Sequence, residues 1–349
     1  MGTALASGHL IHAVASGYHG PPELTVPRAF TEWTFDPWMT ALVVVLGGAY
    51  LAGVRRVQRN GGEWPVARRI WFLGLGLGFL VIATMSWVGA YSPLLFYPRA
   101  VQTVLLVLLV PLFLALGRPI TLAGQVFPRA GARIEAVIRS RPSRMLTFPA
   151  ITTFALVGVP FVMYFTSWYT HVFQSGTVRE LTYLALMTPG YLFFWTLLRV
   201  DPVPKEYPYA VTMWITGAEV IGDAFFGIAV IADQTLLGAA YYHSLALSWG
   251  PSLATDQVLG GGVLWILGDL VGLPFLAVQL IHLMREDESE ATRIDAELDA
   301  KQAQSARSAA PATAATSLAP DDEQNLGDQD PQLWWATDDR FTSRFKPTS

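Results

Sequence analysis

Three acidic residues lie inside apolar segments of the chain and could bind a cation or a proton. Glu219 and Asp223 are four residues apart, so in a helix their side chains lie on one face. Asp269 lies near the middle of the last apolar segment. An ionised carboxylate at the centre of a membrane costs about 2.5–3.5 kcal/mol, so such groups must be protonated, paired, hydrated or bound to a cation. The pattern predicts either a cation or proton site, or a hydrogen bond between helices formed by protonated carboxyls.

Histidines are the other candidate metal ligands. His9 and His12 are three residues apart and could chelate Cu(II) or Zn(II) in a helix, although a solvated terminus is the alternative interpretation. His243 precedes the last apolar segment. The chain has no cysteine, which excludes disulfides and thiolate metal sites. Because the sequence contains no nucleophile elbow, Walker loop or HExxH motif, we expect a protein that is not an enzyme.

The elements that must position these residues are long apolar segments. Of the 349 residues, 52% are hydrophobic and 14% are charged, whereas a soluble domain has about 25% charged residues. The net charge is −4, whereas a nucleic-acid-binding protein usually has an excess of basic residues. A spanning helix needs roughly 20 mostly apolar residues. The sequence predicts an all-α polytopic membrane protein, a seven-transmembrane helix bundle with spans at about 38–54, 70–90, 100–116, 147–167, 181–198, 209–231 and 258–283.

The basic residues predict how this bundle is oriented. Outside the C-terminal tail, most arginines and lysines lie in the loops 55–69, 118–144 and 199–205, whereas the loop 233–256 has none. Loops rich in Lys and Arg face the cytoplasm. The distribution predicts an outside N-terminus and an inside C-terminus in a multi-pass protein of the cell (plasma) membrane.

Composition also divides the chain into three parts. Residues 1–37 form an extracytoplasmic N-terminal segment, residues 38–284 the membrane domain and residues 285–349 a polar, cytoplasmic tail. Within the tail, residues 285–300 favour a short helix that continues the last span, while the Ala-, Ser-, Pro- and Gln-rich stretch 301–331 predicts disorder.

Several motifs, in order along residues 30–285, resemble the CtaG-type cytochrome c oxidase assembly family. They are WTFDPW (33–38), VLLVPLFLALGRPITL (107–122), GYLFFWTLLRVDPVP (190–204) and TDQVLGGGVLW (255–265). The last contains Asp256 and Gln257, which are similar to an Asp-Gln pair that opens the final span in that family. The resemblance implies a polytopic protein that helps deliver copper to the oxidase.

The sequence departs from this family at its metal-ligating histidines. The resemblance implies a His-x-x-x-His pair opening the third span, with Gln before the second His, but here Arg99 and Thr103 flank Gln102. A similar pair opening the fifth span is replaced by Arg179 and Tyr183. Arginine has no free lone pair with which to ligate copper. Either other groups hold copper, or this branch is an oxidase-associated chaperone or subunit without a metal.

We therefore expect a membrane-embedded assembly factor for cytochrome c oxidase that assists copper insertion or oxidase maturation, with copper bound weakly or transiently. Its expected partners are oxidase subunits and the lipid bilayer, with no nucleic acid. Two alternatives stay open: a copper- or proton-coupled membrane transporter using the buried carboxylates, and a structural accessory subunit of a respiratory complex in which the tail is the docking element.

Overall fold

The computed structural model describes residues 20–127, 133, 135–205 and 207–316. The chain divides into two units, Met1–Glu286 and Asp287–Ser349. Among the described residues there are helices, turns and loops but no strands, so the predicted all-α class is confirmed. The three-part division at residues 37 and 284, and the outside N-terminus, stay predictions.

Among the described residues, six helices are long and apolar enough to cross a membrane, and a bent pair adds a seventh if it counts as one span. The polytopic architecture predicted from the apolar segments is thereby confirmed. The helices are α1 (Pro37–Arg59), α2 (Val66–Tyr91), α3 (Phe96–Val126), the bent pair α4 (Pro149–Phe165) and α5 (Trp168–Gln174), α6 (Gly176–Leu198), α7 (Tyr209–Ala232) and α8 (Leu253–Thr316). Short helices that the structure describes in full, Arg28–Thr31, Arg141–Leu146 and Ala239–Ser244, lie in the connections.

Helices α2 and α3 are each built from several stretches with different backbone geometry. In α2, a π-helical stretch (Ile70–Gly76) lies between Val66–Arg69 and Leu77–Met85, and Trp87–Tyr91 follows a break at Ser86. The Ser86 side chain accepts a hydrogen bond from the Val88 N–H, which caps the second part.

In α3, π-helical Leu105–Leu109 separates Phe96–Val104 from Val110–Leu116, and Pro119–Val126 follows a left-handed residue. A Cβ on Gly190 of α6 would lie 2.0 Å from the Val107 carbonyl oxygen in this π-helical stretch. Only glycine allows so close an approach of two helix backbones. The contact fixes α6 against α3, and both helices supply residues to the site below.

The fourth predicted span, 147–167, is not one straight helix. α4 ends at Phe165 and the chain turns by 74° into α5. Thr166 is extended (φ −127°, ψ 172°), and its Oγ1 accepts a hydrogen bond from the Trp168 N–H at 3.2 Å. This side-chain bond starts a new helix in a different direction, which hydrophobicity alone did not predict.

The last helix extends beyond the residues for which we predicted helix. Residues 285–300 are helical, as expected, but residues 301–316 are helical too, where composition predicted disorder. Alanine, glutamine, lysine and arginine in this stretch are good helix formers and favour the longer helix, while disorder of the tail stays a prediction. Ion pairs of Arg293 with Glu290 (3.4 Å) and Glu297 (3.9 Å) support the preceding turns. The rest of the predicted disordered stretch, residues 317–331, lies outside the described residues.

Candidate functional site

A fully buried arginine lies in the first turn of α3. Arg99 is 1% exposed, and its Nη1 donates a 2.6 Å hydrogen bond to Gln102 Oε1. Its Nη2 lies 3.6 Å from Met163 Sδ, and its guanidinium carbon lies 5.7 Å from the centroid of the Phe173 ring. Within the described part of the chain, no carboxylate lies within ion-pair distance of Arg99, and its Nε has no hydrogen-bond partner. The protein therefore holds a permanent cation without an anionic counterpart from those residues.

Hydrogen bonds connect Arg99 to three other helices. Gln102 Nε2 donates to the Ala83 carbonyl oxygen of α2 at 2.7 Å and to the Tyr183 hydroxyl of α6 at 3.2 Å. Thr103 donates to the Arg99 carbonyl oxygen, and its hydroxyl lies 3.0 Å from that of Tyr164 in α4. We call Arg99, Gln102, Thr103, Met163, Tyr164 and Tyr183 the Arg99 cluster.

A second pair of tyrosines packs beside this cluster. The hydroxyls of Tyr169 and Tyr242 are 2.7 Å apart, and the Tyr169 ring centroid lies 5.0 Å from that of Tyr164. Burial raises the pKa of the Tyr242 hydroxyl well above its ordinary value, so this group stays protonated at neutral pH. Tyr242 therefore stays a neutral hydrogen-bonding neighbour and does not supply an anion to the Arg99 cluster.

The residues at the positions where the family resemblance implies histidines have separated roles. Arg99, Thr103 and Tyr183 belong to the Arg99 cluster. Arg179 instead has a side chain that is 42% exposed, and it lies 3.2 Å from Glu180 and 3.9 Å from Asp36. Asp36 also accepts hydrogen bonds from the first two backbone N–H groups of α1 that lack a helical partner, those of Trp38 and Met39. Arg179 therefore forms part of a mixed-charge group at the starts of α1 and α6.

The donor atoms of the Arg99 cluster do not suit a bound copper ion. Copper prefers thioether sulfur and imidazole nitrogen, and the cluster supplies one sulfur, from Met163. Two unit charges 4 Å apart near a protein surface repel by about 4 kcal/mol, and the Arg99 guanidinium is already 3.6 Å from that sulfur. A copper ion on Met163 would therefore have an unfavourable charge beside it.

Asp256, one of the family-motif residues, caps the start of α3. Its carboxylate accepts hydrogen bonds from the backbone N–H groups of Phe96 (2.7 Å) and Tyr97 (2.9 Å), and the residue is 1% exposed. A helix start leaves such N–H groups without helical partners and favours a negative charge. Asp256 therefore ties the beginning of α8 to the beginning of α3, one helical turn from Arg99.

Gln257 makes the corresponding connections to the end of α7. Its Nε2 donates to the carbonyl oxygens of Val230 (2.9 Å) and Asp233 (2.7 Å), while its Oε1 accepts from the Leu237 N–H (2.7 Å). The amide thus satisfies carbonyls at a helix end that have no helical donors. All its hydrogen bonds are to backbone groups, so the Asp-Gln pair fixes helix ends around the site.

The three predicted carboxylates lie at the interface of α7 and α8. Glu219 is buried, while Asp223 and Asp269 are partly buried. The carboxyls of Glu219 and Asp223 are close enough to interact with each other, and Asp269 is close enough to interact with both electrostatically. Small residues of α8 make room for them, since a Cβ on Gly268 would lie 2.6 Å from Asp223 Oδ2. Glu219 and Asp223 lie on one face of α7, as their spacing predicts.

His243 is the remaining metal candidate among the described residues, and none of its contacts brings it into the interface of α7 and α8. Among the described residues, no three or more His, Asp or Glu side chains form a group that could hold a metal ion. His243 is exposed on the short helix Ala239–Ser244. In the interface itself, the Asp269 Oδ1 atom is buried without a hydrogen-bond partner. His9 and His12 lie outside the described residues. Metal binding by these six residues stays a prediction.

Sequence reasoning named Gln102 but left Arg99 out of the candidate site. An arginine at the edge of an apolar segment ordinarily indicates the membrane surface. The available signal was its position three residues before Gln102, where a helix places both side chains on one face.

Comparisons with known proteins point to one family. The family model described as "Cytochrome c oxidase caa3 assembly factor" (Caa3_CtaG) matches residues 48–286. Uncharacterized proteins of Mycobacterium bovis and Mycobacterium tuberculosis are each 33% identical over 313 residues, which cover 86% of this chain and 47% of the relative. One of Mycobacterium leprae is 30% identical over 291 residues, covering 81% and 44%. The chain thus spans about half the length of these relatives. No solved structure matches it significantly.

Proposed function

We propose a function on the basis of the family to which the chain belongs. This chain belongs to the cytochrome c oxidase caa3 assembly factors, whose family model matches residues 48–286. We infer that it acts in the cell membrane on oxidase subunits during maturation of cytochrome c oxidase. The multi-pass helical architecture supports this proposal, because helices long and apolar enough to cross a membrane would share the bilayer with a membrane-embedded oxidase subunit. Partner identity and cell membrane location are parts of this proposal.

The observation that supports the proposal most is the cost of keeping Arg99 where it is. A buried cation without a paired anion is destabilising, and a cation in the first turn of a helix also opposes the helix dipole. Stability alone would favour an apolar residue of similar size at this position. Ionisable residues retained inside membrane helices commonly serve function. We therefore place the functional centre at the Arg99 cluster, at the end of the bundle where α3 and α8 begin.

We further propose that the chain assists copper insertion or maturation without a resident copper ion in the Arg99 cluster. The donor atoms there disfavour copper, so binding by the purified chain is weak or transient. In this account, the buried Arg99 acts indirectly: through Gln102 and Thr103 it holds neighbouring helices in the arrangement that an immature oxidase subunit recognises.

Complementation tests this proposal. Cells lacking the chain should lose cytochrome c oxidase activity and regain it with the wild-type chain. Arg99→Met should fail to restore activity although the variant accumulates in the membrane, whereas Arg99→Lys, which keeps the charge, should restore it partly. Full activity with Arg99→Met would contradict a functional centre at Arg99. Unchanged activity in the deletion strain would contradict the proposed function itself.

Proton- or copper-coupled transport is the second candidate, because Glu219, Asp223 and Asp269 interact within helices that are apolar enough to cross a membrane. Transport predicts ion flux in proteoliposomes that is lost in Glu219→Gln and Asp223→Asn. A flux that neither substitution changes, or no flux at all, would count against this candidate.

A further inference from the structure

An open groove lies at the opposite end of α3 from Arg99. It runs between the last turns of α1 and the Pro119–Val126 stretch of α3, and its cavity volume is about 920 Å³. Cavities that take small ligands have volumes of about 300–1,000 Å³. The inner wall is apolar and includes Leu46, Ala49 and Leu122. Such a groove suits the hydrocarbon part of an amphiphile.

Three arginines line the mouth of this groove. Arg55, Arg56 and Arg59 are exposed, and no carboxylate within the described ranges lies within ion-pair distance of them. The Arg56 guanidinium lies 5.8 Å from the centroid of the Phe127 ring on the facing wall. Three cations therefore share one rim without an anion from those residues.

The depth of the arginines agrees with a membrane surface. At 1.5 Å per residue, Arg59 lies about 33 Å along α1 from Pro37, and the hydrocarbon core of a bilayer is about 30 Å thick. When α1 crosses the membrane, Arg59 passes the edge of this core. Arg55 and Arg56 lie about 27–29 Å from Pro37, so their long side chains reach the lipid headgroups, while Leu46 and Ala49 face the acyl chains.

The walls of the groove are held in place by polar contacts. Tyr50 donates a 2.8 Å hydrogen bond to the Gly117 carbonyl oxygen, and its ring stacks on that of Phe72 with centroids 4.1 Å apart. On the other wall, the Asp201 carboxylate accepts hydrogen bonds from the backbone N–H groups of Ile120 (3.1 Å) and Thr121 (2.9 Å), which caps the start of Pro119–Val126. The groove is thus formed before any ligand arrives.

We propose that this groove binds an anionic phospholipid. The phosphate and its headgroup lie against Arg55, Arg56 and Arg59, and an acyl chain follows the apolar wall. Compensation of the helix dipole accounts for Arg56 and Arg59 in the last turn of α1, but it does not account for a preformed apolar groove directly beside them. Basic pockets between membrane helices favour anionic headgroups over zwitterionic ones. This site is separate from the Arg99 cluster and does not depend on the oxidase proposal.

Native mass spectrometry of the full chain in detergent tests the site. The delipidated protein is mixed with phosphatidylglycerol or with phosphatidylcholine of the same acyl chains, and bound lipid is counted. Phosphatidylglycerol should bind more tightly. Each basic residue near an anionic surface strengthens binding by about fivefold, so Arg55→Gln/Arg56→Gln/Arg59→Gln should weaken phosphatidylglycerol binding by one to two orders of magnitude. Ala52→Trp, at an exposed position in the groove, should weaken binding of the same lipid by filling the cavity.

A charge-matched control separates this groove from general attraction between the protein and anionic lipid. Arg139→Gln/Arg141→Gln/Arg144→Gln removes the same charge from the connection between α3 and α4 and should leave binding unchanged. An equal loss in this control, or an unchanged preference in the groove triple variant, would overturn the proposal. Full competition by glycerol phosphate would also overturn it, since the apolar wall would then play no part. If Ala52→Trp binds phosphatidylglycerol like the wild type, the groove is not where the lipid lies.

Discussion

Removing the Asp256 carboxylate should destabilise the fold, because it breaks the hydrogen bonds that join the start of α3 to the start of α8. Asp256→Ala deletes both acceptors of the Phe96 and Tyr97 backbone N–H groups, which lie 2.7 and 2.9 Å from the carboxylate oxygens. A buried donor left without a partner costs about 1–3 kcal/mol, and loss of a helix cap costs about 0.5–2 kcal/mol. Because the two terms overlap, we expect the free energy of unfolding to fall by about 2–4 kcal/mol.

Asp256→Asn provides a graded version of the same change. Asparagine keeps one carbonyl oxygen as an acceptor but loses the charge and the second acceptor, so we expect a loss of about 1–2 kcal/mol. Asp233→Asn is the matched control. Its side chain accepts only from Thr235 on an exposed turn, and the change should cost less than about 0.5 kcal/mol.

Unfolding of the purified chain in mixed micelles, titrated with sodium dodecyl sulfate and followed by tryptophan fluorescence, measures these differences. The expected order of stability is wild type and Asp233→Asn, then Asp256→Asn, then Asp256→Ala. If Asp256→Ala unfolds together with Asp233→Asn, the capping role is refuted. A stability loss that appears only when copper is present would instead indicate a metal ligand.

Three further outcomes follow from the described contacts. Arg99→Met should change the free energy of unfolding by about 1 kcal/mol or less, because removal of a buried charge offsets the lost hydrogen bond to Gln102. A loss above about 3 kcal/mol in the same titration would contradict this. Gly227→Ala should destabilise by about 1–3 kcal/mol, since its Cβ would lie 2.7 Å from the Gly261 carbonyl oxygen, whereas Gly217→Ala, with open space around it, should not destabilise. Copper titration should give weak binding, and a stoichiometric tight Cu(I) complex would be the contrary result.

The helical architecture could be predicted from the sequence because it depends on local composition. Each apolar segment is long enough to cross a bilayer, and its backbone must be hydrogen-bonded within itself. The i, i+4 spacing of Glu219 and Asp223 likewise predicted a shared face, since that relation depends only on helix geometry. The bend at Thr166 escaped prediction because it depends on one side-chain hydrogen bond within an otherwise apolar stretch.

The candidate site could be predicted only in part, because its contacts join distant parts of the chain. The resemblance singled out Asp256 and Gln257, but not what they bind. Asp256 caps a helix start 160 residues earlier in the chain. The burial of Arg99 depends on the packing of Met163 from α4 and Phe173 from α5, and hydrophobicity along the chain contains no information about such packing.

Oxidase purified from cells that lack this chain gives the most direct test of its role in assembly. The quantities to measure are the copper-to-haem ratio of the enzyme and its reduced-minus-oxidised haem spectrum. We predict little assembled oxidase and a lowered copper content, both restored when the wild-type chain is supplied. Normal amounts of oxidase with a full complement of copper would contradict the account.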